Sequence, residues 1–289
     1  MYKKYIFAIL TVIVAIFGCK DDAEDNSNIS SQLDTSDVFE SIKKVYYSLP
    51  SPMEIASIAK KYSGVFSAEV MNPTSNVIEY TTTDAQAINL GVYAADLAFV
   101  SLYDQKQYSA AIFKCLIDLA DEIDILEGIN DTLVRKVEEN IENPNEIKDI
   151  IADAFFKSDA YLKESGREKI ATLIMAGAWV ESFYLMSDMA VKTDDTTHIY
   201  QLIVDQRLVL DNVIMTLNIQ NIDSEIIDPL KDINENLNNC VTIEKTEVLD
   251  PYTDEMRTKT IVKYNYSSKK IEEIYGKISI IRKNFISLH

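Results

Sequence analysis

Two carboxylates stand where carboxylates are costly. Asp96 lies in AINLGVYAADLAFVSLY, residues 87 to 103, and Glu181 in IATLIMAGAWVESFYLMSDMAV, residues 170 to 191, and both runs are apolar nearly all the way round a helix. An ionised carboxylate buried without a partner is strongly disfavoured, so each acid must take a cation, accept hydrogen bonds or keep its proton at a raised pKa. Groups perturbed in this way concentrate at functional sites. If the two helices are neighbours, Asp96 and Glu181 face a common pocket with Tyr93, Tyr103, Trp179 and Tyr184. A carboxyl pair there could perform acid–base work of the kind that cleaves glycosidic bonds. The commoner fate of such acids is structural: capping a helix, accepting from a tyrosine hydroxyl, or pairing with an arginine such as Arg207 in LIVDQRLVL. The aromatics read equally well as core, since Tyr and Trp fill large volumes and need one polar partner each. A structural network, a polar–aromatic ligand pocket and a catalytic pair all remain open on the residues alone.

Other chemistries lack their residues. The chain has no Gly-rich phosphate loop, no G-x-S-x-G and no HExxH. His198 and His289 are its only histidines, too few and too far apart for a zinc cluster. The acidic runs Asp121, Glu122, Asp124 and Asp194, Asp195 lack the alternating spacing and central glycine of a calcium loop and read as solvated faces. No metal or cofactor is called for. Cys115, within the apolar helical pattern IFKCLIDLA, reads as a small buried hydrophobe; a disulfide to Cys240 needs a Cα separation that sequence does not supply.

A third cysteine has a different setting. Lys3 and Lys4 precede an apolar run of 12 residues, Ile6 to Phe17, then Gly18 and Cys19. That is the layout of a secretory leader, and the run is shorter than the roughly 20 residues a permanent span needs. The stretch AIFGC resembles the lipobox of bacterial lipoproteins, which implies a diacylglyceryl group on Cys19, cleavage before it and palmitate-type acylation of the new amino terminus. Two or three acyl chains anchor a protein stably where one does not. Lys20, Asp21 and Asp22 resemble the signal that sends lipoproteins of Bacteroidetes-type bacteria to the outer face of the outer membrane. Residues 20 to 37, KDDAEDNSNISSQLDTSD, have the composition of a flexible tether. The expected organisation is therefore a leader over 1–18, a lipidated cysteine and acidic linker over 19–36, and one helical domain over 37–289.

Charge excludes one class of partner. With 28 Lys and Arg against 46 Asp and Glu, the net charge is -18, which gives phosphate backbones no electrostatic footing; nucleic acid is not expected, and a membrane must be reached through lipid.

The elements that would position the acids are mainly helical. Seven glycines and six prolines in 289 residues favour long regular segments. Apolar spacing predicts helices near 37–48, 52–63, 84–105, 107–126, 130–142, 145–163, 166–192, 196–218, 223–239 and 266–287. Helix starts are written at Ser51-Pro52 with Glu54, Thr83 with Gln86, Asn143-Pro144 with Glu146, and Ser165 with Glu168. Residues 241 to 264 alternate polar with β-branched residues around a turn-rich centre and predict a β-hairpin. The fold class is all-α with a small hairpin insertion. Ala87, Gly91 and Ala95 form a small-residue ridge, and GVYAAD and GAWVES share a glycine followed by an aromatic and then a carboxylate, with the acids out of step by one, a loose match that leaves a duplicated helical half open.

The stretches SLPSPMEIA, NLGVYAADLAFVSLY, FFKSDAYLK and AGAWVESFYL resemble all-helical lipoproteins of Bacteroidetes-type bacteria, a group without an assigned activity. That resemblance implies a helical, surface-anchored lipoprotein and transfers no catalytic residue. The expected role is a lipid-anchored outer-membrane binding or interaction module, exposed at the surface or, as the alternative, facing the periplasm, and partnered by an envelope protein or a small ligand. An envelope hydrolase using Asp96 and Glu181 and a structural subunit of an envelope complex are the alternatives.

Overall fold

The computed structural model describes residues 67–103, 105–125, 131–140, 143–192, 197–249 and 256–288. The leader, Cys19, Lys20, Asp21, Asp22, the acidic linker, the Ser51-Pro52 start and the helices expected at 37–48 and 52–63 lie outside them, as do Asp194 and Asp195.

Among the described residues the chain is all-α apart from one hairpin. Two short 3-10 turns, Ala68–Val70 and Thr74–Glu79, make an irregular strap over residues 67–80. Helix α1 follows at Thr83–Val100, continued by the 3-10 turn Ser101–Tyr103. The Thr82 hydroxyl, one position before the expected start, accepts the Ala85 N–H at 3.3 Å and caps it. Helices α2 (Lys106–Glu122), α3 (Asp131–Asn140) and α4 (Pro144–Glu164) come next. Asn143 opens α4 as expected, its side-chain oxygen accepting from Glu146 N at 3.4 Å. Ser165 does not cap the next helix. Its hydroxyl donates to the Tyr161 and Leu162 carbonyls and closes α4, Gly166 turns through φ 69°, and α5 (Glu168–Val191) starts without a side-chain cap. Helices α6 (Thr197–Ile219) and α7 (Ser224–Asn238), the strands β1 (Val241–Leu249) and β2 (Met256–Tyr264), and α8 (Ser268–Phe285) complete the order.

The centre is the pair α1 and α5, buried around almost their whole circumference. They run side by side in the same direction. Near their starts Lys169 pairs with Asp84 at 2.6 Å, and near their ends the Asp188 charge reaches Tyr103. Between these contacts the backbones touch. A Cβ on Gly91 would collide with the Ile174 carbonyl, and one on Gly177 with the Ile88 carbonyl. Each glycine thus meets the residue three positions before the other, so the alike segments GVYAAD and GAWVES pack on each other reciprocally. Both helices are long and apolar enough to cross a membrane, yet 78% and 89% of their apolar windows are covered by protein.

Helices α2 and α4 pack on α1, α6 and α8 on α5, and α7 fills in between α6 and α8. Helix α8 buries Ile271, Ile274, Ile278, Ile281 and Phe285, a repeat of three and four that makes one continuous stripe. Cys115 and Cys240 are both buried free thiols.

The hairpin is antiparallel with Val241 opposite Tyr264 and Ile243 opposite Val262. Its base is fixed: Tyr264 donates its hydroxyl to Asp205 at 2.8 Å, and Tyr266 meets Tyr200 edge-on at 5.8 Å. Two pairs further out, Ile243 is 56% and Val262 40% exposed, so the ribbon leaves the helices beyond that base.

Candidate functional site

Asp96 and Glu181 are brought together and sealed. Each has 0% exposure, and Arg282 of α8 lies beside them at 7%. Arg282 Nε donates to Glu181 Oε2 at 2.8 Å and Nη2 to Oε1 at 2.9 Å, a bidentate fork that engages both oxygens. Nη2 also donates to the Val70 carbonyl of the strap at 3.0 Å, and the guanidinium lies 4.5 Å above the centre of the Tyr184 ring. Arg207, the cation expected from sequence, is not the partner. It bonds Asp205 at 2.8 Å and the Val204 carbonyl at 3.3 Å, beside the hairpin base. Its position on α6 turns it toward the ribbon, whereas α8 presents Arg282 directly to α5.

Asp96 is held from the other side. Its Oδ2 accepts the backbone N–H of Asn72 at 3.0 Å, while Oδ1 meets no hydrogen-bond donor. The Asn72 side chain donates to Tyr80 Oη at 2.9 Å and to Asn89 Oδ1 at 3.3 Å. Asn89 in turn donates to the carbonyls of Ala85 and Phe285, both at 3.0 Å. Tyr93 donates to the Pro73 carbonyl at 2.8 Å, and Tyr80 to the Ile286 carbonyl at 3.3 Å. The strap is thereby knitted to α1 and to the end of α8 through buried polar groups.

Electrostatics follow from that burial. Desolvation, and after it the Glu181 charge, push Asp96 well above the usual carboxylate range; Arg282 and the Asn72 N–H oppose this without cancelling it. Burial also raises Glu181, with the guanidinium pulling the other way. Burial works against the charge of Arg282, but the Glu181 carboxylate more than compensates and holds the guanidinium protonated. Tyr93 is raised chiefly by burial.

The six pocket residues separate into three places. Tyr93 sits one turn before Asp96, and Tyr184 one turn after Glu181, so both share the acids' faces. Tyr103 lies further along, packed on Phe99 at 5.2 Å and within reach of the Asp188 charge. Trp179 is two residues from Glu181 and therefore on the far side of α5, stacked on Phe183 at 4.8 Å.

Sequence reasoning missed Asn72, Asn89, Tyr275 and Arg282. The last two carry a readable signal: Tyr275, Ile278 and Arg282 fall at i, i+3 and i+7 on α8, the spacing of Glu181, Tyr184 and Asp188 on α5. The two stripes meet antiparallel. Tyr275 donates to Asp188 at 2.9 Å and stacks on Tyr184 at 5.9 Å, and Lys192 closes the outer end on Asp188 at 2.6 Å. A seam of aromatic and charged groups thus runs from the surface at Lys192 to the enclosed acids.

Chemically the arrangement holds one guanidinium and two carboxyl groups in fixed register with no exposed atom on either acid. Among the described residues no group of three or more His, Cys, Asp or Glu is arranged to hold a metal ion. No family model, curated protein or solved structure matches this chain.

Proposed function

We propose that the chain is a lipid-anchored cell-envelope lipoprotein, displayed at the outer membrane surface, whose helical domain serves as a binding or interaction module. Its anchor is Cys19 and its export signal Lys20, Asp21 and Asp22. One observation supports a module over a hydrolase: the Glu181 oxygens are both taken by Arg282 and neither acid is exposed, so no substrate bond can reach the pair. An acid–base pair must come within hydrogen-bond reach of its substrate or of a water that serves it. A buried, fully forked ion pair suits a specified interior instead. Recognition then falls to the outer helix faces and the hairpin.

In-cell crosslinking and capture of the lipidated protein, with a Cys19→Ala control, tests this reading. A stoichiometric envelope partner that is lost in the control is expected. Recovery of the protein alone, together with glycosidase or other hydrolase activity abolished by Glu181→Gln in a folded variant, would replace the module by an enzyme.

A further inference from the structure

We infer that Asp96 carries a proton at neutral pH, donates it to Glu181, and by doing so keeps the strap of residues 67–80 closed over the acid pair as a pH-sensitive latch. The argument begins with charge. Two buried carboxyl groups interact directly, and Arg282 is the one cation that faces them from the described elements: α1 contributes Tyr93, α5 contributes Tyr184, the strap contributes Tyr80 and the Asn72 N–H, and α8 contributes Arg282. Two negative charges against one positive charge would leave a net anion without water, which is severely unfavourable.

The donors decide which acid is neutral. Glu181 receives two charge-assisted N–H bonds, which favour its ionised form. Asp96 receives a single backbone N–H, and its Oδ1 is buried without a donor. A proton on Oδ1 turns that orphan into a donor toward the neighbouring carboxylate. Loss of the proton to solvent leaves two anions in contact, a strain that admission of water relieves. The glycines Gly91 and Gly177 lock the α1–α5 crossing, while the strap covers the cluster with the Asn72 N–H on Asp96 and the Val70 carbonyl on Arg282, beside its bonds to Asn89, Tyr93 and the Ile286 carbonyl. Lifting the strap admits water to both acids.

The full chain in detergent allows two measurements. In the infrared spectrum at pH 7, the wild type should show a protonated-carboxyl C=O band that is missing from Asp96→Asn. In hydrogen exchange corrected for intrinsic rates, the wild-type strap should lose at least tenfold protection as the pH is raised above neutral, while α7 stays protected and Asp96→Asn keeps its strap closed throughout. Identical infrared spectra, matching pH profiles for the two proteins, or joint loss of strap and α7 protection would each overturn the inference.

Discussion

The three groups Asp96, Glu181 and Arg282 are not interchangeable, although two of them bear the same carboxyl chemistry. Glu181→Gln removes the counter-charge of a buried guanidinium, and breaking such a pair costs about 3–5 kcal/mol. Asp96→Asn keeps an acceptor for the Asn72 N–H and supplies an amide donor toward Glu181, so its cost should stay below about 1 kcal/mol. Urea denaturation of both variants at neutral pH measures the difference; equal losses would contradict the asymmetry. The pH dependence has a definite sign. Folded Asp96 holds its proton more tightly than unfolded Asp96, so its stabilising contribution is complete below the unfolded value of about 4 and declines as the pH rises through the folded value. Asp96→Asn should flatten that part of the stability curve, leaving a wild type that weakens toward alkali relative to the variant.

At the scale of elements, the closest backbone approach sets the largest mutational effects. Gly91→Ala or Gly177→Ala would place a methyl group on a facing carbonyl and force α1 and α5 apart, at a cost of at least about 2 kcal/mol. The double variant should cost less than the sum, because both methyl groups open the same crossing. Gly276→Ala, on an exposed stretch of α8 with no atom near the new Cβ, should stabilise by roughly 0.5–1 kcal/mol. Urea midpoints of all four proteins test this opposition of sign. At the hairpin, Tyr264→Phe deletes the bond to Asp205, and hydrogen exchange should rise in β1 and β2 while α1 and α5 keep their protection. These elements were readable because periodicity and turn chemistry are local: the helix starting near 107, the helix ending near 218 and the hairpin at 241–264 all fall within a few residues of their observed bounds. The strap was not, since short 3-10 turns show no apolar period and are held by Asp96, Asn89 and Tyr93 from elsewhere. For the same reason the acids were visible and their cation was not. An apolar helix advertises a lone Asp96 or Glu181, but the choice of Arg282 over Arg207 is made by how α8 docks.

For the molecule as a whole, charge limits what it can meet. Residues 256–289 carry eight Lys and Arg against two Asp and Glu, although the chain is strongly acidic overall. The sequence thus sets a basic segment beside an acidic remainder, and the field of exposed charges reaches about 8–10 Å at physiological salt. Surface display is tested by changing Lys20, Asp21 and Asp22 together to alanine and shaving intact cells with protease. The wild type should be clipped and the triple variant protected, both remaining in the membrane fraction; equal clipping would place the export information elsewhere.

The polar knitting of the strap to α8 joins residues far apart in the chain: Tyr80 reaches the Ile286 carbonyl across 206 positions, and Arg282 reaches Val70 across 212. Such long-range closures make folding slow, because the chain's loop entropy is lost before the contact forms. Until α8 docks, Glu181 lacks the Arg282 fork and the strap lacks its bonds to Arg282 and to the Ile286 carbonyl. The docking of α8 is thus the event that both completes the acid cluster and fastens the strap.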